Sequence, residues 1–371
     1  MKIICLQENL KNGLSTTERI IGKNLTLPIL NNLLLKTDKG KLRISSTNLE
    51  IGINYWASGK IEKEGEITIP AKVLSSIIGQ LPNKKIEIES KDGVINLKCD
   101  NYKAKIKGQE AKEFPIIPKI QPQAEIEINK EALKEGLGMV VGMAAISDAR
   151  PEISGILFSF EKNKLKLAAT DSFRLAEKSI FLKTNFIGTM ILPQRTAQEL
   201  IRILGDQGGN KEKEENIKII MGVNQAMFDL GHIQLVSRLI DGQYPDYQQI
   251  IPNSFQTKIV LNKDELSKAV KIASLFSSKI SDVQIKAFPQ KGIIEVFSQN
   301  ADVGENIAQL EAEGEGKEAS VAFNWRYLVD GLNNISSEKV LCGLNNETAA
   351  AILKPVGAED YVYVVMPIRA T

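Results

Sequence analysis

The sequence predicts an α+β fold made of three repeated domains, each with two helices packed on antiparallel sheets. The first indication is self-similarity at an offset of 123 residues, which maps Ile3 to Ile126, Leu33 to Ile156, Thr47 to Thr170, Gly65 to Gly188 and Pro70 to Pro193. The second is local pattern. "NNLLLKTDKGKLRISSTN" (31–48) and "SGILFSFEKNKLKLAATD" (154–171) each read as strand, polar turn and alternating strand. The third is a unit of apolar strand followed by a helix start, seen in "GEITIPAKVLSSIIGQL" (65–81) and "GTMILPQRTAQELIRIL" (188–204).

A third copy follows at a slightly larger step. "KIVLNKDELSKAVKIASLF" (258–276) continues the series begun by "AEIEINKEALKEGLGMV" (124–140), and "ASVAFNWRYLVDGL" (319–332) repeats the strand-then-helix unit. Apolar residues at helical spacing predict helices over 8–21, 71–81, 130–145, 194–204, 263–276 and 324–333. Short Pro-containing joints, "IPKIQPQ" (117–123) and "IIPNSFQ" (250–256), divide the chain into domains 1–121, 124–252 and 256–371.

Composition excludes several classes. Of 371 residues 43% are hydrophobic and 25% charged, a globular balance with no signature of disorder. Cys5, Cys99 and Cys342 are odd in number and far apart, which suggests buried thiols rather than a disulfide framework. No apolar run reaches membrane-spanning length, and the first 30 residues do not resemble a signal peptide. A cytoplasmic protein without membrane partners is expected.

The helices carry apolar stripes on one side and recurrent cations on the other. Lys11 and Arg19, Lys130 and Lys134, Arg195 and Arg202, and Lys268 and Lys271 share helix faces, while Lys72 and Arg326 sit in first turns. One such face is an ordinary solvated surface. Recurrence on equivalent helices, diluted by Glu18, Glu131, Glu135, Glu199 and Asp330, fits loose attraction to phosphates without sequence readout. Recognisable catalytic chemistry is missing. The sole histidine, His232, reads as a strand or turn residue, and no zinc-type cluster or GxSxG elbow occurs. "GEGKEAS" (314–320) lacks the glycine and hydroxyl of a phosphate loop. Asp171, Asp241 and Asp246 stand beside turn residues and read as turn caps. No cofactor and no metal are expected. The rival readings are a DNA scaffold with an open groove and a metal-dependent nuclease.

Along its whole length the chain resembles the bacterial DNA polymerase III β subunit family, the β sliding clamps. The resemblance rests on "TLPILNNLLL" (26–35), "SGILF" (154–158), "ATDSFRLA" (169–176), "LIDGQYPDY" (239–247), "FNWRYLVDGL" (323–332) and "YVVMPIR" (363–369), in that order. It implies clamp-type domains in a head-to-tail dimeric ring that encircles duplex DNA without sequence preference and performs no catalysis. By the same resemblance Arg19, Lys23, Lys72, Lys134, Arg150, Arg195, Arg202 and Arg326 face DNA. The implied partners are a second copy, the replicative polymerase catalytic subunit, the clamp loader and other proteins carrying a clamp-binding motif. These would dock a short hydrophobic peptide against Ile153, Thr170, Arg174, Leu175, Pro245, Ile250, Val364, Met366, Pro367, Ile368 and Arg369. Leu175 and Val364 read equally as pocket or as core. The implied dimer contact joins the strand carrying Lys103, Ala104, Lys105 and Ile106 to Leu275, Phe276 and one acidic strand over 307–316 that includes Glu311 and Glu313. The chain departs from the family pattern at Ser172-Phe173, where Gly-His is expected, and at Gln249, where a basic residue is expected.

Overall fold

The computed structural model describes residues 1–22, 26–118, 120–206 and 215–368. The first repeat contains β1 (Lys2–Leu6), α1 (Gln7–Thr17), β2 (Asn32–Asp38), β3 (Lys41–Thr47), β4 (Ile51–Ala57), β5 (Gly59–Lys63), β6 (Glu66–Pro70), α2 (Ala71–Gln80), β7 (Lys85–Lys91), β8 (Val94–Cys99) and β9 (Tyr102–Lys107). The second contains β10 (Ala124–Asn129), α3 (Lys130–Val140), β11 (Gly155–Glu161), β12 (Lys164–Thr170), β13 (Arg174–Phe181), β14 (Gly188–Pro193), α4 (Gln194–Gly205), β15 (Asn216–Met221), β16 (Gln225–Asp229) and β17 (Ile233–Arg238). The third contains β18 (Thr257–Asn262), α5 (Lys263–Ala273), β19 (Asp282–Phe288), β20 (Ile293–Asn300), β21 (Gly304–Glu311), β22 (Glu313–Gly316), β23 (Ala319–Asn324), α6 (Trp325–Asn333), β24 (Lys339–Leu344), β25 (Ala351–Pro355) and β26 (Tyr361–Val365). The predicted helices fall where the apolar spacing puts them. The first, third and fifth end in 3₁₀ turns, Glu18–Ile20, Val141–Met143 and Ser274–Phe276.

The contacts divide the chain into two compact units, Met1–Lys134 with Gln198–Leu239 and Glu135–Ala197 with Ile240–Thr371. The first holds a five-stranded sheet, β5-β1-β7-β8-β9, and an eight-stranded sheet, β10-β15-β16-β17-β4-β3-β2-β6. The second holds a nine-stranded sheet, β14-β11-β12-β13-β26-β25-β24-β18-β22, and a four-stranded sheet, β21-β20-β19-β23. Three repeats give two units because the middle repeat lends one half-sheet to each, joined by the antiparallel pairs β17·β4 and β13·β26.

The repeat extends to individual hydrogen bonds. Thr47 Oγ1 donates to the Ile51 carbonyl at 3.0 Å and accepts from the Leu49 amide, while Asn48 Oδ1 accepts from the Glu50 and Ile51 amides. In the second repeat Thr170 Oγ1 donates to the Arg174 carbonyl at 2.7 Å and accepts from Ser172, while Asp171 Oδ1 accepts from Phe173 and Arg174. Asp171 is thus the turn cap its neighbours suggest. Both turns force a non-glycine residue into the left-handed region, Leu49 at φ 78° and Ser172 at φ 79°. Helix-to-sheet packing repeats as well. A Cβ on Gly13 would meet Ile44 Cδ1 at 2.8 Å, and one on Gly136 would meet Ile180 Cδ1 at 2.8 Å, so glycine lets α1 and α3 close on their sheets.

The three cysteines are buried and free, and burial pushes the Cys5 and Cys342 thiols up to about 12. His232 lies in the turn before β17, its ring edge-on to Tyr55 at 5.6 Å. One expectation fails. Residues 307–316 are two strands rather than one: β21 stops at Glu311, and β22 starts at Glu313 on a different sheet, paired with β18. Gly314 and Gly316 dictate this. A Cβ on Gly314 would stand 2.6 Å from the Lys258 carbonyl, and Gly316 adopts φ 106°, so this stretch lies flat against β18 as a larger residue could not.

Candidate functional site

The cations divide by what holds them. Arg19, Lys72, Arg195 and Arg326 are exposed on or beside their helices, with Arg326 lying 5.3 Å over the Trp325 ring. Lys134 is half-buried and paired to Glu131 at 3.2 Å. Arg150 is exposed and donates to Ser172 Oγ at 2.9 Å. Arg202 has other employment: its Nε donates to Glu199 Oε2 at 2.9 Å and its Nη2 to the Thr16 carbonyl at 3.0 Å, so this guanidinium braces the end of α1. Lys23 lies outside the described residues.

Of the residues grouped by the resemblance into a pocket, the second unit brings four together. Ile153, Leu175 and Val364 share one buried cluster with Tyr244, Tyr247, Ile352 and Val362, and Met366 packs against it. Leu175 pairs with Val364 across β13·β26, and both are almost fully enclosed. The choice between core and pocket therefore falls to core for these two. Met366, Pro367 and Ile368 are half-buried, Pro245 is exposed and Ile250 is 46% exposed. The tail is anchored by its backbone, the Met366 amide donating to the Phe173 carbonyl and the Ile368 amide to the Ala322 carbonyl, both at 2.8 Å. Thr170 is buried in its turn, and Arg369 lies outside the described residues.

Arg174 is held from several sides. Nε donates to Asp171 Oδ2 at 3.0 Å, Nη1 to Asp330, and the guanidinium lies 4.5 Å over the Tyr327 ring. Burial opposes its charge, but Asp330 and Asp171 prevail and raise its pKa further. Tyr247 donates to Glu177 Oε2 at 2.6 Å; burial first and Glu177 second push its phenol up, so it remains a donor. Tyr244 and Tyr247 belong to the buried cluster beside these residues, and Phe173 and Tyr327 stand next to Arg174; the resemblance implies a role for none of the four. Phe173 is 59% exposed and stacks on Tyr327 at 6.3 Å, and its departure from the family pattern was the one available signal.

The two sheet edges also differ from expectation in part. Lys103 and Lys105 are exposed on β9, Ala104 is half-buried, and Ile106 is only 6% exposed because it faces the core of its own sheet. The apolar surface at that edge is instead a groove of about 330 Å³ lined by Ile77, Leu81, Leu97, Tyr102 and Ala104. On the other edge Leu275 is 71% exposed, Phe276 is half-buried against the start of β21, and Glu311 is exposed. Glu313 stands on the β22 edge and pairs with Lys339 at 2.9 Å.

Comparison with known proteins covers nearly the whole chain. Models of the DNA polymerase III beta subunit match it in three consecutive pieces, the N-terminal domain over 1–118, the central domain over 127–246 and the C-terminal domain over 248–369. The beta sliding clamp of Synechococcus elongatus is 30% identical over 378 residues, covering 100% of this chain and 99% of its own. A putative DNA polymerase III beta subunit from Eubacterium rectale superposes with a TM-score of 0.91 at 26% identity over 99% of each chain. A sliding clamp (DNA polymerase III subunit beta) from Pseudomonas aeruginosa, solved bound to griselimycin, superposes with a TM-score of 0.93 at 25% identity over 100% of each chain. With its three clamp domains, the chain belongs to the bacterial DNA polymerase III β subunit family, the β sliding clamps.

Proposed function

We propose that two copies of this chain close head to tail into a ring that encircles duplex DNA and tethers a replicative polymerase to it. The observation that carries this reading is a mismatch of sheet edges. Inside the chain, each joint pairs the last strand of one kind of half-sheet with the last strand of the other. β17 ends β10-β15-β16-β17 and meets β4; β26 ends β18-β24-β25-β26 and meets β13. The first-repeat counterpart of β17 and β26 is β9, and the third-repeat counterpart of β4 and β13 is β21; both stand at the edge of their sheets. One spare edge of each kind, on opposite repeats, is what a closed head-to-tail dimer consumes. Exposed Lys103, Lys105 and Lys107 on β9 face the sign of exposed Glu305 and Glu311 on β21, which sets orientation. Native mass measurement tests this: a species of twice the 40.9 kDa chain is expected, and a monomer at micromolar concentration contradicts it.

On this reading the domains run 1–121, 124–252 and 256–371. Arg19, Lys23, Lys72, Arg195 and Arg326 supply most of the DNA attraction, with Lys134 and Arg150, which already have partners, contributing less and Arg202 serving chiefly as a brace. The ring is non-catalytic and works in the cytoplasm. Among the described residues no helix is long and apolar enough to cross a membrane. Clamp loader, polymerase and repair proteins share the surface around Met366-Pro367-Ile368, Pro245 and Ile250, which lies beside the buried cluster of Ile153, Leu175 and Val364. Met adapts to varied apolar ligands, and Met366, Pro367 and Ile368 are half-buried, so part of each side chain faces outward. β26 runs through Val365, which is buried, so a clean truncation begins at Met366. That truncation is expected to cost at least about tenfold in affinity for a polymerase-derived hydrophobic peptide, read by fluorescence anisotropy, with the dimer intact. Unchanged peptide affinity would place the pocket elsewhere.

A further inference from the structure

At both joints within the chain, the first helix of one repeat ends on a side chain supplied by the second helix of the next. Thr16 is the tenth residue of α1, and its carbonyl accepts from Arg202 Nη2 of α4 at 3.0 Å. Met139 is the tenth residue of α3, and its carbonyl accepts from Asn334 Nδ2, one residue past α6, also at 3.0 Å. The two carbonyls hold the same place, since two residues further on each helix tightens into its 3₁₀ turn, at Glu18 and at Val141. The last carbonyls of a helix lack intrahelical partners and carry the negative end of its dipole, so a side-chain donor there stabilises the end.

The third repeat presents a carbonyl at the same place, that of Ile272, which the Ser274 N–H also reaches and which keeps a second lone pair for a side-chain donor. Ile272 is the tenth residue of α5, and the 3₁₀ turn begins two residues on, at Ser274. Its surroundings are open: Ile272 is 43% and Leu275 71% exposed. The first repeat presents the donor. Counted from the helix start, Arg202 is the ninth residue of α4 and Asn334 the tenth position of α6. In α2 the ninth residue is Gly79, which has no side chain, and the tenth is Gln80. Gln80 is exposed beside the groove of Ile77, Leu81 and Tyr102.

We propose, on the head-to-tail reading of the dimer, that the Gln80 amide of each copy donates to the carbonyl of Ile272 of the partner subunit, repeating between chains the helix cap found twice within one. The cap adds a directional contact to the strand pairing and fixes the helices as well as the sheets across the joint.

Gln80→Met keeps length and removes both donors; Gln80→Arg restores a donor of the kind Arg202 uses. Dimer dissociation is measured by sedimentation in about 0.5 M NaCl, which screens the acidic β21 edge. Gln80→Met removes a cap from each of the two contacts and is expected to raise the dissociation constant about five- to a hundredfold, and Gln80→Arg to leave it at or below the wild-type value. Equal dissociation constants for wild type and Gln80→Met would overturn the cap while leaving the ring standing. A wild-type chain that does not dimerise would overturn both, and shows itself before any variant is made.

Discussion

Replacing Leu275 and Phe276 together with alanine is expected to yield a folded monomer. Leu275 is 71% exposed and Phe276 half-buried, so neither contributes much to the core of its own unit. Exposed large apolar side chains beside a free strand edge are surface that association removes from water. Each anchor is worth about 2 kcal/mol and occurs once in each of the ring's two contacts, so the double variant shifts the dimer constant on the order of a hundred-thousandfold or more. Sedimentation at about 0.1 μM would show the monomer, and an unchanged thermal melt would show that the fold survives. A double variant that stays dimeric there would mean that the contact lies on other strands.

Reversing four cations at once, Arg19→Glu, Lys72→Glu, Arg195→Glu and Arg326→Glu, is expected to abolish most DNA retention at low salt. All four are exposed, so the substitutions leave the core untouched. Each lost phosphate contact should lower the log-log salt slope by about one, and the loss should be uniform across DNA sequences. Arg202 is deliberately left out. Its bonds to Glu199 and to the Thr16 carbonyl mean that Arg202→Glu would disturb the α1 terminus and confuse weakened DNA binding with weakened packing. Retention that survives the fourfold reversal, or that acquires a strong preference for one base sequence, would show that these helices do not face DNA.

The repeat made the fold legible because each copy must satisfy the same local physics. Pro70 and Pro193 stand at equivalent strand ends, Thr47 and Thr170 build the same turn, and all six helices follow their apolar stripes. What a stripe cannot report is which side of a half-buried strand is already covered. Ile106 looked like interface because it alternates with lysines, yet its own sheet encloses it. Leu175 and Val364 read equally as pocket or core, and only the β13·β26 pairing makes them core. Glu311 and Glu313 read as one acidic strand until the glycines that follow sent the second to a different sheet. Arg202 read as one more cation on a periodic face, and its acceptor, a backbone carbonyl 186 residues earlier, leaves no trace in periodicity. In each case the missing information was a long-range contact, while the elements themselves were local.

The most direct measurement of the ring is retention on closed circular against linear duplex DNA of the same sequence. After loading, the protein should stay on the circle at salt concentrations that defeat simple phosphate attraction, because topology rather than affinity holds it. A single cut in the circle should release it over the ends. Equal retention on circular and linear DNA would contradict the ring and leave an open-groove DNA binder as the better account.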